Sequence, residues 1–200
     1  MSSEKHEMVC YDNDCYICVY TRQEEEKCCC FSLHDLTKDC KNCARSKLFP
    51  VFIIDVEYLN MFINFSFPHS DLAIGFLCPE GKLNIRLIEI KRILPKGDER
   101  FKVSQIRKAI DDQLVNFFYS KEVQSLINKI SNINENNIKF VLVIPQNTYD
   151  EINKILNAYE LPKLLRKFDL PDLRPTARKA LATGRVKATP CIALDPSCYR

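Results

Sequence analysis

A chain of 200 residues, 46% apolar and with a formal net charge of only +3, holds enough core material for one ordinary domain with a small addition, which excludes wholesale disorder. Met1–Met8 is polar and charged, so no secretory leader is expected. The most apolar stretch, Leu48–Phe67, is interrupted by Asp55, Glu57, Asn60 and Asn64, which suits a core element and excludes a membrane span. A cytoplasmic location without a membrane partner is the expectation. The charge is uneven: residues 1–50 are mildly acidic, whereas Leu161–Arg200 carries nine basic residues against three acidic ones. Such asymmetry points to a phosphate-facing end.

Eight of the eleven cysteines fall between Cys10 and Cys43. Cys15-Tyr16-Ile17-Cys18 and Cys40-Lys41-Asn42-Cys43 are two C-x-x-C knuckles separated by 21 residues, close to zinc-ribbon spacing. Four thiolates would close a tetrahedral structural site. The segment is short and polar, with Glu24, Glu25 and Glu26 in its middle, and needs such a staple to fold. A zinc-stabilised module over residues 1–47 is therefore predicted, with Zn²⁺ on Cys15, Cys18, Cys40 and Cys43. Cys10, Cys28, Cys29, Cys30 and His34 are left over, for a second site or as alternative ligands. Disulfides and buried thiols are the competing uses. The odd count and the polar N-terminus weigh against a disulfide framework.

Within Leu48–Phe67, Phe52, Val56, Leu59 and Ile63 have helical spacing, while the run from Val51 to Ile54 would suit a strand. Next comes a hairpin. Leu72, Ile74 and Phe76 alternate with small residues; Pro79-Glu80-Gly81-Lys82 supplies a turn in which Gly81 can take positive φ; Leu83, Ile85, Leu87, Ile88 and Ile90 form the returning arm. Asp71 opens the first arm. Glu89 and Lys91 interrupt the second two residues apart, so they share one face. A buried carboxylate and ammonium are costly unless paired or bound to a metal. Asp71, Glu89 and the Ile90 carbonyl offer hard oxygen ligands suited to magnesium or manganese, and Lys91 adds a cation that could orient water or stabilise charge on a phosphate.

Leu94–Arg100 reads as a loop. Ser104 is placed to cap a helix through Ile106, Ala109, Ile110, Leu114 and Phe117, and Ser120 to restart it. The continuous apolar run Lys139–Pro145 predicts a central strand buried on both faces and parallel to a neighbour. Tyr149–Leu156 and Thr176–Leu181 have helical patterns, and Gly184 marks a break. Arg174, Arg178, Lys179, Arg185 and Lys187 place five cations within fourteen residues, able to track a nucleic-acid backbone by charge.

An acid opening one strand, followed by Glu89-Ile90-Lys91 on the next, resembles the signature of the PD-(D/E)xK nuclease superfamily. This restriction-endonuclease-like group includes Holliday-junction resolvases and RecB-type nucleases. The resemblance covers roughly residues 48–146, and the proline usual directly before the acid is displaced to Pro68. It implies an α/β fold: a restriction-endonuclease-like central mixed sheet flanked by helices. The domains would then be the zinc module (1–47), a nuclease-like core (48–160) and a basic extension (161–200).

The implied activity is hydrolysis of DNA phosphodiesters to 5′-phosphate products. Mg²⁺ or Mn²⁺ would sit on Asp71, Glu89 and the Ile90 carbonyl, and Lys91 would orient the water. The resemblance also nominates a glutamate on the preceding helix, best met by Glu57 with Asp55 as alternative. It further nominates a helix residue near the scissile phosphate, best met by Gln105 with Lys102 nearby. Gln113 to Phe117 echoes the RecB-type Q-x-x-x-Y with Phe for Tyr. Superfamily members commonly dimerise to cut two strands, so a homodimer is among the expected states. Some hold an iron–sulfur cluster through cysteines near the C-terminus; here only Cys191 and Cys198 lie there. The rival function is a non-catalytic, zinc-containing regulator that binds DNA or protein on a nuclease-like scaffold.

Overall fold

The computed structural model describes residues 4–11, 14–21, 24–38, 50–64, 66–78, 81–91, 94, 97–129 and 133–192. The chain begins with a three-stranded antiparallel sheet, β1 (Glu4–Tyr11), β2 (Asp14–Thr21) and β3 (Glu24–Ser32), which runs into a one-turn helix, α1 (Leu33–Thr37). Ser32 caps α1 by accepting the Asp35 N–H. A short strand, β4 (Phe52–Asp55), passes directly into α2 (Val56–Ile63), and the hairpin follows as β5 (Leu72–Leu77) and β6 (Leu83–Ile90). Then come α3 (Glu99–Lys108), a π-helical segment (Ala109–Asn116), α4 (Lys121–Ile127) and the long strand β7 (Ile133–Pro145). Helices α5 (Tyr149–Ile155), α6 (Glu160–Lys167) and α7 (Pro175–Ala182) precede the last strand, β8 (Val186–Cys191).

Strands β4 to β8 form one mixed sheet in sequence order. The pairs β4/β5 and β5/β6 are antiparallel, while β6/β7 and β7/β8 are parallel. The mixed α/β architecture with a central sheet is thus as the sequence led one to expect. Side-chain alternation decides the layers. Ile85 and Leu87 of β6, with Phe140, Leu142 and Ile144 of β7, face the helices and join Val103, Ile106, Ile110, Leu114 and Phe118 in the larger core. Ile88, Val141 and Val143 face the other way, with Leu72, Ile74 and Phe76 of β5, and meet Ile17, Val19, Cys29 and Phe31 of the N-terminal sheet. The layers are therefore helices, five-stranded sheet, three-stranded sheet. Each fully buried Ile, Leu or Phe in these cores contributes about 1.5–3 kcal/mol, which is why β6 and β7 read as near-continuous apolar runs. A two-way backbone bridge between Cys30 and Ile192 joins β3 to the chain just past β8. Gly75 lies under the Phe52 ring, where an added Cβ would collide with it. Among the described residues no helix is long and apolar enough to cross a membrane.

The structure resolves the ambiguity of Leu48–Phe67 by using both conformations. The β-branched run becomes β4, and Asp55 ends it by accepting the Tyr58 N–H as the N-cap of α2 at 2.7 Å. At α3 the cap is Asp98, which accepts the Phe101 N–H at 2.9 Å, and Ser104 lies inside the helix. Gly81 takes φ +75 at the hairpin, as expected.

The zinc site is a larger correction. Cys15 is disulfide-bonded to Cys10, and Cys18 to Cys30. Both pairs are set by strand register, because Cys10 lies directly opposite Cys15 across β1/β2 and Cys18 opposite Cys30 across β2/β3. Their Cα atoms are 4.0 and 4.1 Å apart, within the reach of facing antiparallel residues. Two of the four expected zinc thiolates are thus consumed, and a Cys15–Cys18–Cys40–Cys43 centre does not fit this oxidised state. Cys40, Cys43 and Cys198 lie outside the described residues. Cys78 is disulfide-bonded as well.

Candidate functional site

Where β5 begins, β6 ends. In the hairpin Leu72 pairs with Ile88 and Ala73 with Leu87, so Asp71 arrives opposite Glu89. Odd-numbered residues of β6 face the helices, as do odd-numbered residues of β5, and the alternation carries Asp71, Glu89 and Lys91 onto that one face. The Asp71 backbone is held from both sides: its N–H donates to the Ile88 carbonyl and its carbonyl accepts the Val56 N–H, each at 2.9 Å. Its side-chain Oδ2 accepts the Ile90 N–H at 2.6 Å. Lys91 is anchored by its N–H to the Val143 carbonyl at 2.8 Å. Both strand ends are thus rigid where the acids stand.

Glu89 is 1% exposed, flanked on β7 by Leu142. Its Oε1 accepts from Lys91 Nζ at 2.5 Å, while Oε2 is buried and has no hydrogen-bond partner. Burial first, then the Asp71 carboxylate and, least, Glu57 push the Glu89 carboxyl up, Lys91 pulls it down by charge and hydrogen bond, and the net result is about 8. Asp71, Glu57 and Glu89 therefore share one electrostatic neighbourhood. Without a cation, the buried acid is largely neutral near pH 7. A divalent ion between the acids would reverse that by favouring the ionised form.

Among the described residues no group of three or more His, Cys, Asp or Glu side chains is set to hold a metal ion. The donors here are two carboxylates, with Glu57 exposed on the first turn of α2. Magnesium commonly takes one or two protein carboxylates and completes its shell with water and substrate phosphate. The residues and the orphaned Oε2 fit an ion of that kind. Asp55, the alternative acid, is committed to capping α2 and lies 3.9 Å from His6 Nδ1.

Other expected positions are placed as follows. Gln105 is half-buried on α3, and none of the described hydrogen bonds ties it to Asp71, Glu89 or Lys91. Lys102 is buried and donates to both Glu151 oxygens, at 3.3 and 3.1 Å, tying α3 to α5. Gln113 sits in the π-helical segment with its Oε1 buried and unbonded. The basic set divides. Arg174 donates to Asn116 Oδ1 at 2.5 Å and lies 3.9 Å from the buried Asp111, while its own side chain stays 53% exposed. Arg185 donates to the Ile138 carbonyl and to the Tyr119 hydroxyl, and lies over the Phe118 and Phe140 rings. Arg178 and Lys179 are exposed on α7. Lys187, on β8, lines a cleft with Arg86 and Lys139. That grouping was not visible in the sequence, because three separate strands assemble it.

No protein-family model, curated protein or solved structure matches the chain.

Proposed function

We propose that the chain is a divalent-metal-dependent deoxyribonuclease of the PD-(D/E)xK type. The observation that carries this reading is the meeting of Asp71 and Glu89 at adjoining strand ends, with Lys91 on one Glu89 oxygen and the other oxygen buried without a partner. Asp71, Glu89 and the Ile90 carbonyl are the residues that would hold Mg²⁺ or Mn²⁺, with Glu57 as a further acid. When bound, such an ion supplies Lewis acidity to a phosphoryl oxygen and makes a coordinated water more acidic. Lys91 keeps a positive charge beside that position, where it orients the attacking water and offsets the negative charge gathering on the phosphate. The Leu142 and helix-side walls exclude bulk water and strengthen both effects. Arg178 and Lys179, exposed on α7, are the tail cations proposed to follow the DNA backbone, and Gln105 is the proposed phosphate contact on α3.

The test is cleavage of linear duplex, single-stranded and branched DNA by the full chain with Mg²⁺ or Mn²⁺. Cutting that leaves 5′-phosphates and is abolished by chelation is expected. Glu89→Gln and Lys91→Ala should each lower the rate by at least about 100-fold while circular dichroism stays native. Wild-type rates in both variants would mean that the centre is elsewhere. Tight DNA retention without turnover would favour the non-catalytic reading.

A further inference from the structure

Helix α2 turns an apolar face outwards. Its sequence, Val-Glu-Tyr-Leu-Asn-Met-Phe-Ile, buries Val56 in the helix-side core yet leaves Tyr58, Met61 and Phe62 51%, 56% and 70% exposed. At about 100° per residue, Glu57, Met61, Tyr58 and Phe62 fall in that order within an arc of about 140°. The Tyr58 and Phe62 rings meet edge to face with centroids 5.1 Å apart, so the two aromatics form one ridge. Ile54 on β4 is also exposed, and it pairs with Ala73, which packs on the helix side of the sheet. The apolar surface therefore runs from the end of β4 along α2. Single exposed apolar residues are ordinary, but four that adjoin one another make a patch.

Area, edge and charge together indicate what covers it. A side chain of aromatic size offers about 150–250 Å², so at these exposures the four residues present roughly 400 Å². Set face to face on a second copy, the patch buries about 800 Å² of apolar surface, and a rim from the exposed Glu57 and Asn64 carries the total to the roughly 1,000 Å² that a specific interface needs. Strand β4 has a strand neighbour on one side only among the described strands, and Phe-Ile-Ile-Asp carries neither the lysines nor the proline that protect an open edge. A nucleic-acid backbone would meet the wrong charge, because α2 holds no basic residue, Glu57 is its one charged residue and Asp55 caps it. The centre of the patch is uncharged and so complements itself. A twofold axis can lay Met61 and Phe62 of one copy against the same residues of the other.

We infer that α2 and the β4 edge form the contact between two copies of this chain in a twofold dimer, with Tyr58, Met61 and Phe62 at its centre. The contact does not depend on the nuclease reading. Glu57 begins the same helix, so each carboxylate centre borders the interface. The test is analytical ultracentrifugation of the full chain between about 1 and 100 µM, without divalent ions and at about 0.15 M salt, where long-range charge effects are screened.

The mass should rise with concentration from one chain to two and stop there. Met61→Glu and Phe62→Glu should each raise the dissociation constant at least about tenfold, because the twofold places a pair of like charges in an apolar contact. Both residues are exposed in the single chain, so circular dichroism should stay native. Tyr159→Glu, at the N-cap of α6 and 72% exposed, should leave association unchanged. A chain that stays monomeric at about 100 µM, assembles beyond two copies, or forms a dimer indifferent to both charge insertions would overturn the inference. So would a monomer whose affinity for a single-stranded oligonucleotide falls in Phe62→Ala, which would make the ridge a base-stacking surface. Should Phe62→Glu fail to fold, Phe62→Ser carries the same expectation of weakened association.

Discussion

Glu89→Gln isolates the electrostatic cost stored at the carboxylate centre. The ordinary carboxyl value, 4.5, describes Glu89 in the unfolded chain, and burial pushes it to about 8 in the folded one. Between those values the folded state binds one more proton than the unfolded state, so the slope of unfolding free energy with pH is negative. The stability associated with neutral Glu89 is fully present below pH 4.5, declines as pH rises, and is lost once pH passes about 8. At about 1.4 kcal/mol per pH unit, the loss across that window is on the order of 3–5 kcal/mol. Glutamine binds no proton there, so the variant's profile should lack this slope. It keeps an oxygen for Lys91 but buries an amide, at a cost of about 1–3 kcal/mol. The two profiles should therefore cross, with wild type more stable near pH 5 and the variant more stable near pH 8. Urea denaturation at pH 5.5, 6.5, 7.5 and 8.5 under chelation, read as the difference between the two proteins, cancels every other titrating group. Adding millimolar Mg²⁺ should raise the wild-type melting temperature more at pH 8 than at pH 6, since an ionised Glu89 is the ligand, and should do little for the variant. Parallel profiles for the two proteins would refute the burial argument. Equal Mg²⁺ stabilisation of both would refute the shared-ion argument.

The division of the basic tail gives a second contrast. Arg185→Ala should cost about 1–2 kcal/mol, by losing two hydrogen bonds and its place over two rings, while leaving DNA retention intact. Arg178→Glu with Lys179→Glu should leave stability within about 0.5 kcal/mol, weaken DNA retention, and reduce the log–log salt slope by about 2. Retention that follows Arg185 and ignores the α7 pair would reverse this assignment. Reducing the Cys18–Cys30 disulfide, which closes a separation of 12 residues, should remove about 3 kcal/mol on the chain-entropy estimate. Chemical denaturation with and without dithiothreitol, compared with a Cys18→Ala/Cys30→Ala double variant, checks it. An unchanged midpoint would mean that register alone holds β2 to β3.

The hairpin was legible because its signal is local. Alternation fixes a face, Gly81 fixes the turn, and together they specify the opposition of Asp71 and Glu89. The central strand was equally plain, since Phe140–Ile144 is apolar on both sides. What stayed hidden depends on partners distant in sequence. Strand β8, Val-Lys-Ala-Thr-Pro-Cys, has a single branched aliphatic residue and a proline, as an edge strand tolerates. The cysteines misled because C-x-x-C spacing describes thiols that wrap one ion, whereas here cross-strand register chooses the neighbour: Cys10 for Cys15 and Cys30 for Cys18. Disulfides of this kind belong to oxidising compartments or to hyperthermophile cytosols, so they give the expected cytoplasmic location no support. The basic tail is divided by contacts distant in sequence: Arg174 lies beside Asp111 and Arg185 over the Phe118 and Phe140 rings.

The two charged groups follow from one topological fact. Strand β6 has an antiparallel neighbour on one side and a parallel one on the other. On the antiparallel side the end of β6 meets the beginning of β5, so residues 18 apart in sequence, Asp71 and Glu89, become neighbours, and the second acid is forced under the helices beside the first. On the parallel side β7 and β8 begin where β6 begins, so Arg86, Lys139 and Lys187 gather at the other end. Period-two alternation then separates the two groups by face: odd residues of β5 and β6 point towards the helices, whereas even residues of β6 and odd residues of β7 and β8 point towards the N-terminal sheet. A single-residue slip of β6 against both neighbours would exchange these assignments, placing Glu89 under the three-stranded sheet and Arg86 in the helix-side core. Each charge would then be buried without its partners, at a cost comparable to a domain's entire stability of about 5–15 kcal/mol. The charged residues thus enforce the register from which both groups arise.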